Sequence, residues 1–352
     1  MSNISRRKFL GASAAATLAT VSLRELIQAG EASAQGQQIN LYSSRHYNTD
    51  QRLYTDFERL TGIKVNLIEG NGDELFERIQ SEGNNSPADI FMTVNAANLW
   101  RAQQAGLFSP VNSSTLRNLI PSYLRDPGNN WFAFSKRARV IIYNKENVNP
   151  NELSTYQDLT DTKWRNRLVM RSSSNIYNQS LTAGMIANYG ADATENWCRG
   201  LVSNFLRPPQ GNDRAQIETV ASGVAHVTCA NTYYLGSYRS SNDPNIRAVL
   251  DKIGVFFPDQ DGPGTHINIS GAGVLRNAPN RAGAIAFLEY LLSAPAQNYF
   301  ALGNTEYPVV EGVAIDPLLR SFGTFKEDTS GVFRHGPNSA AAIRIMDRAG
   351  WA

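Results

Sequence analysis

The sequence predicts an α/β protein of two lobes, each a mostly parallel sheet flanked by helices, joined by two hinge crossings. Three observations predict it. Strand-like and helix-like patterns alternate along most of the chain, as in parallel sheets covered by helices. The 352 residues exceed what one hydrophobic core usually serves. One β-prone stretch, Trp131 to Asn144, is long enough to leave one lobe and enter another.

The first 34 residues stand apart. Ser5-Arg6-Arg7-Lys8-Phe9-Leu10 is a basic start, a weakly apolar, Ala-rich run follows from Gly11 to Leu23, and Ala32-Ser33-Ala34 is a small-residue cleavage pattern. These are the parts of an export signal. The paired arginines before Phe-Leu resemble the twin-arginine (Tat) type, which carries folded proteins across a membrane, so residues 1–34 are expected to be removed in the periplasm. No Cys stands near that cleavage point to carry a lipid anchor, and no later run reaches the roughly 18 apolar residues of a membrane span. Of 33 basic and 31 acidic residues the leader holds four and two, which leaves 29 of each. A net charge of zero gives no footprint for nucleic acid. Cys198 and Cys229 are either disulfide partners in an oxidising compartment or two buried thiols.

Beyond the leader the elements follow in order. Ile39–Tyr42 reads as a first strand, then the polar turn 43–47, then a helix beginning around Asn48 or Thr49 with Leu53, Phe57 and Leu60 on one face. Thr61-Gly62 ends it. Ile63–Ile68 is a second strand, Gly70–Asp73 a turn into a helix carrying Leu75, Phe76 and Ile79, and Ala88–Met92 a third strand. A helix through Leu99, Trp100 and Ala105 precedes the long Trp131–Asn144 strand. Leu168–Met170 is a strand, followed by a Ser-rich turn and a helix at 178–188. A helix near 212–222 leads to the strand Val224–Ala230. Ile253–Pro258 is a candidate return crossing, Ile267–Leu275 a strand, and Arg281–Leu292 a helix.

Ligands of open α/β sheets sit beyond the carboxyl ends of strands. That rule selects the turns 43–47, 171–177 and 231–234, and each carries tyrosine: Tyr47, Tyr177, and the pair Tyr233 and Tyr234. Asn231 and Thr232 are both good N-cap residues, so a helix is expected to begin there and hold the pair at its positive end. A phenol ionises near pH 10, and a bound cation pulls it towards phenolate. Tyrosines in clefts also stack on sugars or amines. An amine cage, however, favours Trp faces and a carboxylate countercharge, and Asp50 is the one acid near these turns. Phenolate is a hard anionic donor suited to ferric ion. Soft metals lack thiolates or a His cluster here, and Ca²⁺ or Mg²⁺ would call for carboxylates. An exported enzyme is the other class considered. The chain has no Gly-x-Ser-x-Gly, no His-Glu-x-x-His and no phosphate-binding Gly-rich loop.

The Tat-like leader, Ser43-Ser44-Arg45-His46-Tyr47, Pro87-Ala88-Asp89-Ile90-Phe91 and Asn231-Thr232-Tyr233-Tyr234 together resemble the FutA-type ferric-iron-binding proteins, substrate-binding components of cyanobacterial ABC iron importers. The resemblance spans essentially the whole mature chain. It implies the periplasmic-binding-protein fold, whose lobes close on a ligand by hinge motion. It also implies Fe(3+) as cargo, an ABC-transporter permease in the inner membrane as partner, a monomer, and no catalysis. In that family four tyrosine oxygens hold the ion, here Tyr47, Tyr177, Tyr233 and Tyr234. Some members add the histidine before the first tyrosine, here His46. Four phenolates on Fe(3+) leave one excess negative charge, and a buried charge needs a partner. Arg137 and Arg139 in the hinge strand, Arg45 beside the first turn and, further off, Arg239 are candidates, of which the resemblance favours Arg137. The expected N-terminal lobe comprises 35–135 and 264–310, the C-terminal lobe 136–263 and 311–352. The alternative cargo in the same fold is an organic cation of polyamine or thiamine type. His226, His266 and His335 lie off the selected turns and are read as structural.

Overall fold

Strand β1 (Gln38–Ser43) buries Ile39, Leu41 and Tyr42 completely. The computed structural model describes residues 38–45, 47 and 50–352, so the expected leader at 1–34 and His46 lie outside the described residues. β2 (Lys64–Glu69) and β3 (Ile90–Thr93) flank β1 in parallel. Parallel neighbours need crossovers, and α1 (Gln51–Thr61) and α2 (Gly72–Glu82) supply them. α1 buries Leu53, Tyr54 and Phe57 and stops at Gly62, whose φ of 72° is the left-handed cap that glycine adopts without a Cβ penalty. The start expected at Asn48 or Thr49 falls outside the described residues. α2 is capped by Asn71, which accepts from the Asp73 N–H, and α3 (Ala96–Gln104) likewise by Asn95.

β4 (Phe132–Asn144) links the two halves of the sheet, in which β2-β1-β3 is followed by Ile267–Val274 (β7), then β4, then Val227–Asn231 (β5). Its first half pairs with β7 (Ile267–Val274) and β8 (Tyr307–Pro308). Its second half pairs with β5 (Val227–Asn231) and β6 (Ile253–Phe256). Helices α4 (Ile176–Tyr189), α5 (Ala191–Asn204), α6 (Asp213–Ala221), α7 (Tyr234–Arg239), α8 (Arg281–Tyr290) and α9 (His335–Ala349) complete a mixed α/β architecture built on one open sheet. No helix among the described residues is long and apolar enough to cross a membrane.

The fold class matches the sequence reading, but the strand directions correct it in detail. β1 is parallel to β2 and β3, whereas β7 runs antiparallel to β3 and β4, and β4 antiparallel to β5 and β6. The reason is topological. A chain that crosses out on β4 and back on β7 runs in opposite senses along the two, so an antiparallel pair occupies the middle of the sheet. Ile253–Pro258 is not the return crossing. It pairs with the end of β4, and the chain returns through His266, whose carbonyl accepts from the Arg139 N–H at 2.9 Å. Leu168–Met170 forms no regular strand; Leu168 makes single parallel bridges to Phe205 and Val227. β5 starts at Val227 rather than at Val224, which is 60% exposed. Cys198 and Cys229 are both free and buried, and burial pushes each thiol up to about 12.

Candidate functional site

Three segments deliver tyrosine to one place. Tyr47 follows β1, Tyr177 is the second residue of α4, and Tyr233 and Tyr234 follow β5. The Tyr233 ring stands 6.3 Å from Tyr47 and 6.4 Å from Tyr177, edge-on to both, and 4.4 Å from Tyr234. All four are half-buried. Side chains of their neighbours fix the segments. Asn175 caps α4 by accepting from the Tyr177 N–H at 3.1 Å. Asn231 stays in the sheet opposite Arg139, and the Thr232 N–H donates to the Ala138 carbonyl at 3.0 Å.

That last feature corrects the expected helix start. Asn231 is the final residue of β5, the six-residue α7 begins at Tyr234, and the residue before it, Tyr233, makes no side-chain cap. The sheet holds Asn231 because its side chain accepts from Arg139 Nη1 at 3.2 Å. The phenols therefore owe little to a helix dipole. Burial raises the Tyr233 and Tyr47 phenols well above their ordinary value, and the neighbouring phenols add to the effect, as does Glu306 at Tyr47. Burial and then Asp213 push Tyr234 up to about 12. Without a cation, Tyr47, Tyr233 and Tyr234 hold their protons at neutral pH.

The four arginines fall into different settings. Arg45 lies 4.6 Å from the Tyr47 ring centroid, but two buried carboxylates hold it, Asp50 at 2.7 Å and Glu306 at 3.0 Å. Its charge still favours phenolate at Tyr47, although the two carboxylates share it. Arg137 is fully buried, 5.8 Å from the Tyr177 ring centroid, and donates to neutral acceptors, Ser270 Oγ at 3.2 Å and the Val94 carbonyl. Among the described residues no carboxylate forms an ion pair with it. Its charge favours phenolate at both Tyr47 and Tyr233. Arg139 is buried against Asp213 at 3.0 Å. Arg239 pairs with Asp316, its Nη2 2.8 Å from Oδ2.

Sequence reasoning missed two residues near the cluster. Glu306 reaches Arg45 across 261 residues of chain, which no local pattern reveals. Asp213 opens the helix anticipated near 212–222, where an acidic first residue reads as an ordinary helix start. Among the described residues no group of three or more His, Cys, Asp or Glu is placed to hold a metal. The side chains that meet there are tyrosine rings.

The frame that brings these tyrosines together is a mixed α/β fold on one open sheet. The chain belongs to the bacterial extracellular solute-binding proteins, a family that matches residues 52–321. It is similar to Iron uptake protein A1 of Synechocystis, 56% identical over 315 residues, covering 90% of this chain and 88% of that one. It is also similar to Iron uptake protein A2 of the same organism, 51% identical over 351 residues and 99% of both chains. The solved structure of Trichodesmium IdiA (FutA), in complex with iron and citrate ligands, matches with a TM-score of 0.87 at 59% identity, covering 90% of this chain and 100% of that one. These relatives bear out the FutA-type resemblance. They are binding proteins of iron uptake rather than enzymes.

Proposed function

We propose that this protein binds ferric iron in the cleft between its lobes, through phenolate oxygens of Tyr47, Tyr177, Tyr233 and Tyr234, and delivers it to an ABC-transporter permease. The observation that carries the reading is the meeting of four phenols from three separate segments beside a buried arginine with no carboxylate ion pair among the described residues. Phenolates are hard donors that match a hard trivalent ion. Four of them on Fe(3+) leave one negative charge, and Arg137 offsets it where burial would otherwise make it costly. The cargo assignment draws support from the iron-uptake relatives and from the iron complex of the Trichodesmium protein. His46, next in sequence to Tyr47, enters the reading as a fifth donor to be tested. The protein works as a monomer in the periplasm after Tat export.

Apart from Tyr307 and Val332, each packed with the opposite cluster, the segregation of buried apolar residues supports the lobe division at 35–135 with 264–310, and 136–263 with 311–352. One cluster draws on 39–134, 267–309 and 332, and two others on 138–257, 307, 319 and 345–351. Titration of apo protein with ferric citrate and, separately, with spermidine tests the cargo. One iron per chain and no heat from spermidine is the expected result. Stoichiometric spermidine binding without iron binding would replace iron by an organic cation.

A further inference from the structure

Asp213, the first residue of α6, is fully buried and spans two guanidinium groups. Its Oδ1 accepts from Arg139 Nη1 at 3.0 Å and its Oδ2 from Arg171 Nη1 at 2.7 Å. Arg139, 1% exposed, reaches both ligand-bearing segments of this half. Its Nη1 donates to Asn231 Oδ1 at 3.2 Å, at the root of the Tyr233–Tyr234 turn, and its Nη2 to Asn178 Oδ1 at 2.7 Å, next to Tyr177. Asn178 closes the circuit by donating Nδ2 to the carbonyls of Arg171 at 2.8 Å and Ser172 at 3.2 Å. The turn before α4, the first turn of α4, the end of β5 and the start of α6 are thus joined by one ring of buried hydrogen bonds.

We propose that Asp213 is a positioning residue of the cleft, locking Arg139 and Arg171 so that Tyr177 and the Tyr233–Tyr234 pair stand at a fixed separation suited to one ion. The proposal rests on the reading of these tyrosines as ligands. A carboxylate shared by two guanidiniums makes charge-assisted bonds on both sides. Removing it leaves Arg139 as a buried cation without its partner, and the ring opens at the point where the two ligand segments are tied. A carboxylate that only neutralised Arg139 for folding would change the melting temperature and leave the spectrum of the bound metal alone.

The test loads native protein, Asp213→Asn, Arg171→Gln and the double variant with ferric citrate. It reads the visible tyrosinate-to-iron charge-transfer band together with affinity by citrate competition. Each single variant should bind about tenfold more weakly, with a band weakened in the manner of Tyr177→Phe. The double variant should be no worse than the weaker single one, because both act through one network. Native band and native affinity in both single variants would overturn the proposal. If Asp213→Asn does not fold, Arg171→Gln decides alone, since that guanidinium is 25% exposed and its loss spares the buried Arg139–Asp213 pair; an unchanged band there overturns the proposal. A native protein that binds iron with no such band fails at the ligand assignment itself and takes this proposal with it.

Discussion

Among single residues, phenol oxygens and their protons govern the chemistry of the site. Tyr233→Phe or Tyr234→Phe deletes one oxygen and keeps the ring that packs 4.4 Å from its neighbour. Ferric affinity should fall by more than about a hundredfold, beyond the cost usual for an outer-shell partner, while the apo melting temperature stays nearly fixed. A melting temperature that falls in step with affinity would make these residues core rather than ligands. His46→Ala should leave the charge-transfer band in place if four phenols suffice; a shifted band would put its imidazole on the ion. The raised phenols fix the sign of the pH dependence. Tyr47, Tyr233 and Tyr234 are protonated at neutral pH in the metal-free protein, so binding releases protons and weakens as pH falls. Arg137 favours the ionised form. Arg137→Gln should therefore move the pH at which iron is lost upward, read as loss of visible absorbance, whereas coincident curves would remove Arg137 from the site. A site for an organic cation would respond in the opposite sense.

At the scale of elements, the β4–β7 pair is the member that everything else hangs from. Gly271 in β7 has no room for a side chain: a Cβ there would lie 2.6 Å from the Phe132 carbonyl oxygen and 2.8 Å from Leu99 Cδ1. Gly271→Ala should cost about 1–3 kcal/mol of stability, measured as a lower denaturation midpoint; an unchanged midpoint would mean that the two central strands part easily. The sequence revealed the elements better than their directions. α1 was legible because Leu53 and Phe57 recur on a helical stripe and Gly62 closes it. The tyrosine turns were legible because each follows a short apolar run. The antiparallel centre was not, since strand direction depends on which distant segment comes alongside. Asn231 carries cap chemistry in sequence, yet its ladder position opposite Arg139 and its bond to that guanidinium decided otherwise. Tertiary partners of this kind, Glu306 on Arg45 included, leave no trace in local pattern.

For the whole molecule, acid should act on the apo fold as well as on the metal. His335, at the start of α9, is buried beside His266, their ring centroids 4.8 Å apart, and burial lowers His335 to about 4. A base depressed in the folded state binds its proton first in the unfolded chain. Its contribution is complete above about pH 6.5 and is lost as pH falls towards about 4, by up to about 1.4 kcal/mol per pH unit. Apo His335→Gln should show a flatter stability profile across that window than native apo protein; parallel profiles would mean that His335 titrates normally. Because the comparison is made without iron, it separates acid effects on the frame from acid effects on the ligands. Visible absorption during titration of apo protein with ferric citrate shows whether one ferric ion is held by phenolates from three segments. A charge-transfer band should grow to saturation at one iron per chain and weaken in each of Tyr47→Phe, Tyr177→Phe, Tyr233→Phe and Tyr234→Phe. Tight iron binding with no visible band, or a band indifferent to all four substitutions, would contradict phenolate ligation.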